Sequence, residues 1–512
     1  MKKLIITLSI SAVSLVHGAT IEKSGNWSDP LTWGLTDSDT VPTTQDTVSF
    51  GSSGLSLTAD VDATISAFNL DKATIKEYSF SVKNGKTLII STFPNSAVAT
   101  NTTLNIGSTT DSSVAGRIEM TTHGNGIRNT ILNLNSGTLY LATNKHAGVT
   151  NNGGGHYNTT FNIAAGTTLE LDTRMNGSGT KMYIYGDVKV LPAATFTTWG
   201  GGSNFFLYEG GSITANNIRC TAGASIASDG SYTQRVFVDG TVNVSGGEIS
   251  YKSRYYALRF GDANNNTSVS VSSLTTQSKL VYDIGSHAVI NQTSSNSKYL
   301  VETLGILNVA DGAKLNLQNG FGLIGMSTLN INAKNAFATN VAGSTQQDAK
   351  FVVTDKSGTM AVTAPTMNIN ASNDFGNVEF DLAEAHQYGG ATLTINVAEG
   401  VNVSFKSLFS NYKDYDDGYG NNNAFIEFII NGLSDKMNFK LTDMDDILKD
   451  YSSELYFVHF KDGNGNALLV TEVNGDYYVS ASALVPEPAE WQWFSELLHL
   501  VLFGIVKDVN FI

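Results

Sequence analysis

Short runs in which apolar and polar residues alternate recur along most of the chain. Examples are Thr103-Leu104-Asn105-Ile106, Leu169-Glu170-Leu171 and Val242-Asn243-Val244, and each run is followed closely by Gly, Asn, Asp or Ser. Alternation with a period of two places one face of a strand in a core and the other face in water. The pattern predicts β-strands joined by tight turns, with no long helix between the two ends of the chain.

A longer phrase returns along the body of the chain. An apolar-Asn-apolar strand is followed by a turn that contains Gly and then by a second alternating strand, as seen over residues 160–171, 306–317 and 394–403. Strands start about eight or nine residues apart, and full units recur at about 20–30 residues, a spacing that is typical of solenoids.

The repeats predict an all-β protein, a right-handed parallel β-helix. Strands of three or four residues are too short for a small isolated sheet, but stacked coils pair each strand above and below and line one continuous core. The repeat region predicts about 12–15 coils and a rod ~60–70 Å long. Asn side chains repeated at equivalent turns of such coils can form ladders. A string of β-sandwiches is the alternative, although its strands are usually longer.

Changes in pattern divide the chain into five segments. We predict a signal peptide over 1–19, an N-terminal cap and first coils over 20–80, and the parallel β-helix over 81–410. The range 411–484 then reads as a small C-terminal β-domain or cap with longer strands, and 485–512 as a sorting segment that contains a C-terminal apolar helix.

Composition and charge exclude several classes of protein. The chain has 512 residues, only 15% of them charged, with a net charge of -15, 49 Gly and one Cys. Its aromatic content argues against disorder, and a single Cys forms neither an intramolecular disulfide nor a Cys-based zinc site. An acidic chain without basic blocks does not fit a nucleic-acid-binding protein. Uncharged polar residues keep the surface wet, which suits β-structure with many turns.

The N-terminal segment has the pattern of an export signal. A basic start, Met1-Lys2-Lys3, precedes the short apolar run over 4–16, and the small residues Gly18 and Ala19 follow. This arrangement is typical of a secretory signal peptide. The sequence therefore predicts an exported protein that is cleaved after Gly18 or Ala19.

A proline-rich motif stands near the other end of the chain. Val485, Pro486, Glu487 and Pro488, continued by the segment 489–491, lie about one membrane segment from the last residue. The motif resembles the opening of the sorting signal in PEP-CTERM proteins, which are exported bacterial proteins. The resemblance implies processing by exosortase-type machinery and a location at the cell envelope, on the cell surface or outside the cell. It also implies association with extracellular polysaccharide or envelope components.

The residues after this motif are apolar but interrupted. Glu496 and His499 fall within the apolar segment, and the end of the sequence, 507–512, has no Arg cluster. A Glu near the centre of a membrane costs a few kcal/mol. Transient membrane association through this segment is one interpretation, and an amphipathic helix that packs on a partner is the other.

Two tryptophans mark the start of the mature chain. Trp27 and Trp33 lie in a segment, 25–50, that resembles the opening of many secreted bacterial β-helix proteins. Their large rings suit a cap that covers the open end of the coil stack. The alternative is that the two rings stack on carbohydrate.

No catalytic residues can be assigned from the sequence. A lyase or glycosidase on this scaffold needs carboxylates, alone or with a Lys or Arg, on neighbouring coils. Solvated surface charge is the more common explanation of charged residues outside any motif. The candidates are Asp172, Arg174, Asp187, Asp239, Arg254, Arg259 and Asp262.

Two acidic loops have some resemblance to calcium sites, and no other cofactor is expected. Asp462, Asn464 and Asn466 have the one-three-five spacing of calcium ligands, but the sequence lacks the Gly and the closing Glu of an EF-hand loop. The second loop holds Asp414, Asp416 and Asp417. A simple turn is the alternative for both loops.

The sequence therefore leaves three functions open. The first is a noncatalytic exported surface or extracellular-matrix protein. The second is a polysaccharide lyase or glycoside hydrolase on a β-helix scaffold. The third is an adhesin similar to autotransporter passengers, although those carry a C-terminal membrane barrel and the residues after 411 are few.

Overall fold

The computed structural model of the protein describes only part of the chain. Within it, the one helix is a short 3-10 helix, Pro30–Trp33, and all other regular structure is β-strand. The described residues are 18–36, 41–44, 46–69, 77–92, 102–121, 129–142, 158–172, 179–191, 196–199, 204–215, 218–221, 235–244, 258–260, 281–292, 301–303, 306–316, 321–324, 328–338, 350–354, 366–374, 379–381, 391–405, 426–433, 438–441 and 458–481.

Two long sheets make up most of the fold. Sheet A has 13 strands and sheet B has 16. Sheet A contains β1 (Gly18–Ile21), β3 (Thr47–Phe50), β5 (Ala63–Asn69), β7 (Thr87–Thr92), β9 (Arg117–Met120), β11 (Thr138–Ala142), β13 (Thr168–Asp172), β15 (Asp187–Val190), β18 (Ser212–Ala215), β21 (Thr241–Val244), β24 (Val289–Gln292), β27 (Lys314–Asn316) and β30 (Phe337–Ala338). Sheet B contains β2 (Gly25–Asn26), β4 (Ser56–Ala59), β6 (Glu77–Val82), β8 (Thr102–Ile106), β10 (Thr130–Leu134), β12 (Thr160–Ile163), β14 (Lys181–Ile184), β17 (Asn204–Leu207), β20 (Arg235–Val238), β23 (Val281–Ile284), β26 (Ile306–Val309), β29 (Thr328–Ile331), β32 (Thr366–Ile369), β35 (Ala391–Val397), β37 (Ile426–Asn431) and β39 (Val458–Lys461).

Two smaller sheets complete the described structure. Sheet C has seven strands and sheet D has five. Sheet C contains β16 (Phe196–Trp199), β19 (Ile218–Thr221), β22 (Leu258–Phe260), β25 (Val301–Thr303), β28 (Phe321–Ile324), β31 (Lys350–Thr354) and β34 (Glu379–Asp381), and sheet D contains β33 (Asn373–Asp374), β36 (Val403–Phe405), β38 (Phe439–Leu441), β40 (Leu469–Val473) and β41 (Asp476–Ser480).

The strand order is that of a solenoid. As far as β39, strands that follow one another in the chain belong to different sheets, and most of them pair in parallel with the equivalent strand one coil later, as β10 does with β12 and β12 with β14. Between β16 and β34 the described coils include a third sheet, sheet C, in which only the pairings of β22 are antiparallel. The predicted all-β solenoid of stacked repeats is confirmed, and the alternative of separate β-sandwiches is wrong.

The inward-facing residues of successive coils form a continuous apolar core. Along one column of sheet B, Leu132, Phe161, Met182 and Phe205 lie above one another and are all about 1% exposed or less. The burial of alternate residues in β12 and its neighbours matches the period of two seen in the sequence. Each coil therefore contributes one layer of side chains to a core that runs along the stack.

The N-terminal end of the stack is closed by a compact segment. Asp29 caps the 3-10 helix, because its Oδ1 accepts a hydrogen bond from the backbone N–H of Leu31 at 2.9 Å. Trp27 and Trp33 are 2% and 4% exposed, meet edge to face with ring centroids 5.0 Å apart, and are joined by a hydrogen bond from Trp33 Nε1 to the Trp27 carbonyl. Because both rings are buried, neither has a free face that could stack on a sugar. Both residues instead pack inside the segment that covers the end of the coil stack.

The end of the described chain continues the coil stack and adds a hairpin. Strands β37 and β39 extend sheet B in parallel, while β40 and β41 pair with each other in antiparallel fashion and β41 pairs with β38. A turn at Asn474 and Gly475 joins β40 to β41.

The predicted segment 485–512 also lies outside the described residues, and its apolar helix gains no support from the structure. Among the residues that are described, there is no helix of the length and apolar character needed to cross a membrane.

Candidate functional site

The outward face of sheet B carries ladders of Asn side chains. Each Nδ2 donates to the Oδ1 of the preceding coil, with N–O distances between 2.6 and 2.8 Å. The lower ladder contains Asn105, Asn133 and Asn162, and the upper ladder contains Asp283, Asn308, Asn330, Asn368, Asn396 and Asn431. Asn ladders are therefore present as the repeats predict, but their members lie on the strands and not at the turns, where they were expected.

Aromatic residues occupy this column between the two ladders. Asn162 is followed, coil by coil, by Tyr183, Phe206 and Phe237, and the column then returns to Asp283. Tyr183 and Phe206 lie parallel, with ring centroids 5.2 Å apart and planes 6° apart. Offset-stacked pairs of this kind contribute about 0.5–1.5 kcal/mol beyond the area that they bury.

A second aromatic pair lies beside the first, at the corner between sheets B and A. Tyr185 and Tyr208 directly follow β14 and β17, and their rings stack with centroids 4.3 Å apart and planes 4° apart. Partial burial and the neighbouring phenol of Tyr185 raise the pKa of Tyr208. We call the five residues Tyr183, Tyr185, Phe206, Tyr208 and Phe237 the aromatic stack.

A small polar group lies at the same corner, next to the aromatic stack. Asp239 is one residue beyond β20, and its Oδ1 accepts the backbone N–H of His287 at 2.8 Å. His287 Nδ1 is 3.2 Å from Asp239 Oδ2 and 3.8 Å from Glu209 Oε2. The hydrogen bond with Asp239 and the charge of Glu209 raise the pKa of His287.

Replacing Asp239 by Asn is expected to lower the pKa of His287 toward its ordinary value. The raised pKa means that the contact stabilises the folded chain below the pKa of the unfolded state, and that this contribution is lost as the pH rises through the folded pKa. An NMR titration of the imidazole in the wild type, Asp239→Asn and the remote control Glu399→Gln measures the effect. An unchanged His287 pKa in Asp239→Asn would contradict the assignment.

Sheet A carries a charged cluster on its outer face, on neighbouring coils. Arg117 contacts Glu119 through Nε at 2.5 Å and Glu170 through Nη1 at 2.8 Å, and its guanidinium lies 5.1 Å from the centroid of the Tyr140 ring. Partial burial lowers the pKa of Arg117, but the hydrogen bonds to both carboxylates outweigh it and the pKa is raised. Tyr140 in turn donates to Asp172 at 3.1 Å, and its own pKa is raised by partial burial and by Asp172.

The acidic residues singled out in the sequence are not brought together. Asp172 lies in the Arg117 cluster, Asp187 accepts a hydrogen bond from Ser212 Oγ, and Asp239 contacts His287 beside the aromatic stack. Arg259 lies in β22, in antiparallel register with Arg219 of β19. Three further candidates lie outside the described residues: Arg174, Arg254 and Asp262.

The first predicted calcium loop is held together by its own hydrogen bonds. Asp462 Oδ1 accepts the backbone N–H groups of Asn464 and Asn466 at 2.9 and 2.8 Å, and Oδ2 accepts Nδ2 of Asn466 at 2.8 Å. These bonds lower the pKa of Asp462. The geometry is that of an Asx turn, the alternative considered for this loop.

Among the residues that the structure describes, no group of three or more His, Cys, Asp and Glu is arranged to hold a metal ion. The second predicted loop, with Asp414, Asp416 and Asp417, lies outside them, as does the sorting motif of Val485, Pro486, Glu487 and Pro488.

Comparison with known proteins places the chain in no family. No protein-family model matches it, and no curated protein matches it with significance.

The aromatic stack is the feature that the sequence analysis missed. Its signal is the pair of segments Lys181-Met182-Tyr183-Ile184-Tyr185 and Asn204-Phe205-Phe206-Leu207-Tyr208, which have aromatic residues at the same two positions. Aligning these segments on their buried residues places Tyr183 and Phe206 where other coils have Asn. The comparison of repeat with repeat is therefore the step that finds this site.

Proposed function

We propose that the chain is a noncatalytic exported protein of the cell surface or extracellular matrix, associated with the envelope or with exopolysaccharide. Its body is then a right-handed parallel β-helix, the hand that parallel crossover connections nearly always take. The N-terminal segment directs export, and the Pro-Glu-Pro segment directs sorting by exosortase-type machinery.

The observation that carries this proposal is the construction of the outer face. The side chains of the Asn ladders are committed to one another from coil to coil, as in the pair Asn330 and Asn308 at 2.7 Å. A third ladder, on sheet A, joins Asn243, Asn291 and Asn316 at 2.9 and 2.7 Å. Repeated neutral amide contacts stabilise a long rod and supply no general acid or base.

The proposed location of the protein rests on the two ends of the sequence. The resemblance of Val485 to Pro488 to the PEP-CTERM motif supports sorting, and the pattern of residues 1–19 supports export. Low charge and abundant Asn and Gly also suit an extracellular rod that must stay soluble through neutral polar side chains.

A hydrolase or lyase is the second candidate, and the Arg117 cluster is the observation that favours it. Glu119 and Glu170 come from different coils and converge on one guanidinium beside Tyr140. A catalytic carboxylate must exchange a proton or attack the substrate, whereas both of these carboxylates are hydrogen-bonded to Arg117. The noncatalytic proposal therefore has the stronger support.

Fractionation of the producing cells tests the proposed function. We expect the wild-type chain in the envelope or extracellular fraction, and we expect the double variant Pro486→Ala/Pro488→Ala to accumulate in an unsorted form. Ser482→Ala, a change just outside the motif, is the matched control. The same shift of the wild-type chain is expected in a strain that lacks its exosortase.

The catalytic alternative is tested on the same preparation. The purified chain is incubated with neutral, anionic and amino-sugar polysaccharides, and new reducing ends and unsaturated products are measured. We expect neither product. Cleavage that is lost in Glu170→Gln would overturn the noncatalytic proposal, and normal sorting of the double proline variant would overturn the sorting proposal.

A further inference from the structure

The aromatic stack interrupts a ladder that otherwise continues. Each amide carbonyl of the lower ladder receives an N–H from the next coil, but the coil after Asn162 presents Tyr183, which has no amide. Within the part of the chain that the structure describes, no group donates to Asn162 Oδ1. The substitution of rings for amides therefore leaves a free acceptor at the lower edge of the stack.

Among the described residues, one face of the Tyr185 ring is covered by another ring and the other face is not. Tyr208 stacks on the upper face at 4.3 Å. On the lower side, Ala164 follows Ile163 as Tyr185 follows Ile184, and these two isoleucines are paired in register. A methyl group is too short to cover an aromatic ring, and Tyr185 is accordingly 45% exposed. We call this place, with Ala164 below, Tyr185 above and Asn162 beside it, the ledge.

Mutual stabilisation of the stacked rings explains why Tyr208 is covered on both faces, but it does not explain why the lower face of Tyr185 is exposed. A ring that serves only to stabilise its neighbours is best covered on both faces, as Tyr208 is by Tyr185 below and the tilted ring of Phe237 at 5.9 Å. Tyr185 instead keeps a large apolar face in solvent, held rigid by the ring above it. A rigid aromatic face beside polar acceptors is a common basis of recognition.

The acidic groups above the aromatic stack and the net charge of the chain favour a cationic ligand. Glu209 directly follows Tyr208, and its side chain is 68% exposed, while Asp239 lies one coil further on. The cation that faces both carboxylates is His287, which bears its charge only when protonated. With a net charge of -15 on the whole chain, the surface attracts cations and repels polyanions.

We propose that the ledge binds a polysaccharide that carries protonated amino groups. The apolar face of one sugar ring packs on Tyr185, the neighbouring carbonyl of Asn162 accepts a hydroxyl or ammonium hydrogen, and the acidic surface of the chain attracts the amino groups. Aromatic faces also attract cations directly. The inference deepens the proposed association with extracellular polysaccharide, and it rests on that proposed function by naming the class of polymer.

Titration calorimetry with the purified full chain tests the proposal, using a glucosamine hexamer as the probe. We expect binding that weakens as salt is added, a weaker affinity for the N-acetylglucosamine hexamer, and none for a galacturonate oligomer. Tyr185→Ala is expected to lower the affinity for the glucosamine hexamer about tenfold. Tyr185→Phe, which keeps the ring, is the matched control and is expected to bind like the wild type.

A second variant protects the test against a folding defect. Ala164→Leu leaves Tyr185 in place but covers its open face, so it is expected to produce the same tenfold loss. Equal affinity of Ala164→Leu and wild type would overturn the proposal, as would preferred binding of the galacturonate oligomer. Circular dichroism melting curves confirm that each variant is folded.

Self-association through the same face is the competing occupant. Light scattering of wild type and Tyr185→Ala measures the molar mass of each, and we expect both to be the same. A wild-type dimer that Tyr185→Ala converts to a monomer would overturn the polysaccharide proposal. Failure of binding leaves the fractionation result intact, so the two proposals are tested separately.

Discussion

Replacing Phe161 by Ala is expected to lower the free energy of unfolding by about 3–5 kcal/mol, the usual cost of truncating a buried Phe. Phe161 is fully buried and lies between Leu132 of the preceding coil and Met182 of the next. Its removal leaves a cavity that neither neighbour fills, because each neighbour is held in place by the backbone pairing of its own strand. Since each coil is stabilised by the coils beside it, the defect weakens both of its interfaces.

Urea denaturation followed by circular dichroism measures this loss, with Ile131→Ala as the matched control. Ile131 is a large apolar residue of the neighbouring strand, but it faces outward and is 41% exposed. We expect its truncation to change stability by less than about 0.5 kcal/mol. A similar loss in both variants would show that the inside and outside of the coil are wrongly assigned.

The alternation of inward and outward residues, on which the expected effects of Phe161→Ala and Ile131→Ala depend, is visible in the sequence itself. In the strand Thr130–Leu134, Leu132 and Leu134 point inward and Asn133 points outward, as the period of two requires. The same reasoning places Asn308 and Asn330 at equivalent points of two repeats, and their side chains do meet. Fold class and outer ladders were thus predictable because both depend on local alternation.

The register between coils is harder to predict from the sequence, because loops of very different length separate equivalent strands. Asn330 pairs with a residue 22 positions earlier in the chain, whereas Asn291 pairs with one 48 positions earlier. Without a fixed period, only an alignment of the repeats on their buried residues brings Tyr183 and Phe206 to equivalent positions, and the structure adds Phe237 to the same column. The ledge at Tyr185 depends on that register and on the small size of Ala164, so it emerges only from the structure.

The charged residues illustrate the same limit. Asp172, Asp187 and Asp239 were candidates because carboxylates on adjacent coils can meet, yet each is engaged by a different partner. The pair of carboxylates that does converge, Glu119 and Glu170, spans two coil steps and is bridged by Arg117. Such a bridge depends on side-chain length and register together, and neither is encoded in a short motif.

The turns between strands permit a second stability test with a matched pair of variants. Gly137 and Gly166 have φ angles of +77° and +75°, in the left-handed region that side chains disfavour. An ideal Cβ on Gly137 would lie 2.3 Å from the carbonyl oxygen of Gly116, whereas a Cβ on Gly166 would have nothing within 4 Å. The two positions therefore share the same backbone strain and differ in the room available.

We expect Gly166→Ala to destabilise the chain by about 1–2 kcal/mol through backbone strain alone. Gly137→Ala adds a collision with the backbone of the preceding coil and is expected to cost about 1–3 kcal/mol more. The difference between the two urea midpoints isolates the close approach of neighbouring coils, because the conformational cost cancels. Equal losses would mean that the coils at this turn are further apart than the structure describes, since only contact between them distinguishes the two glycines.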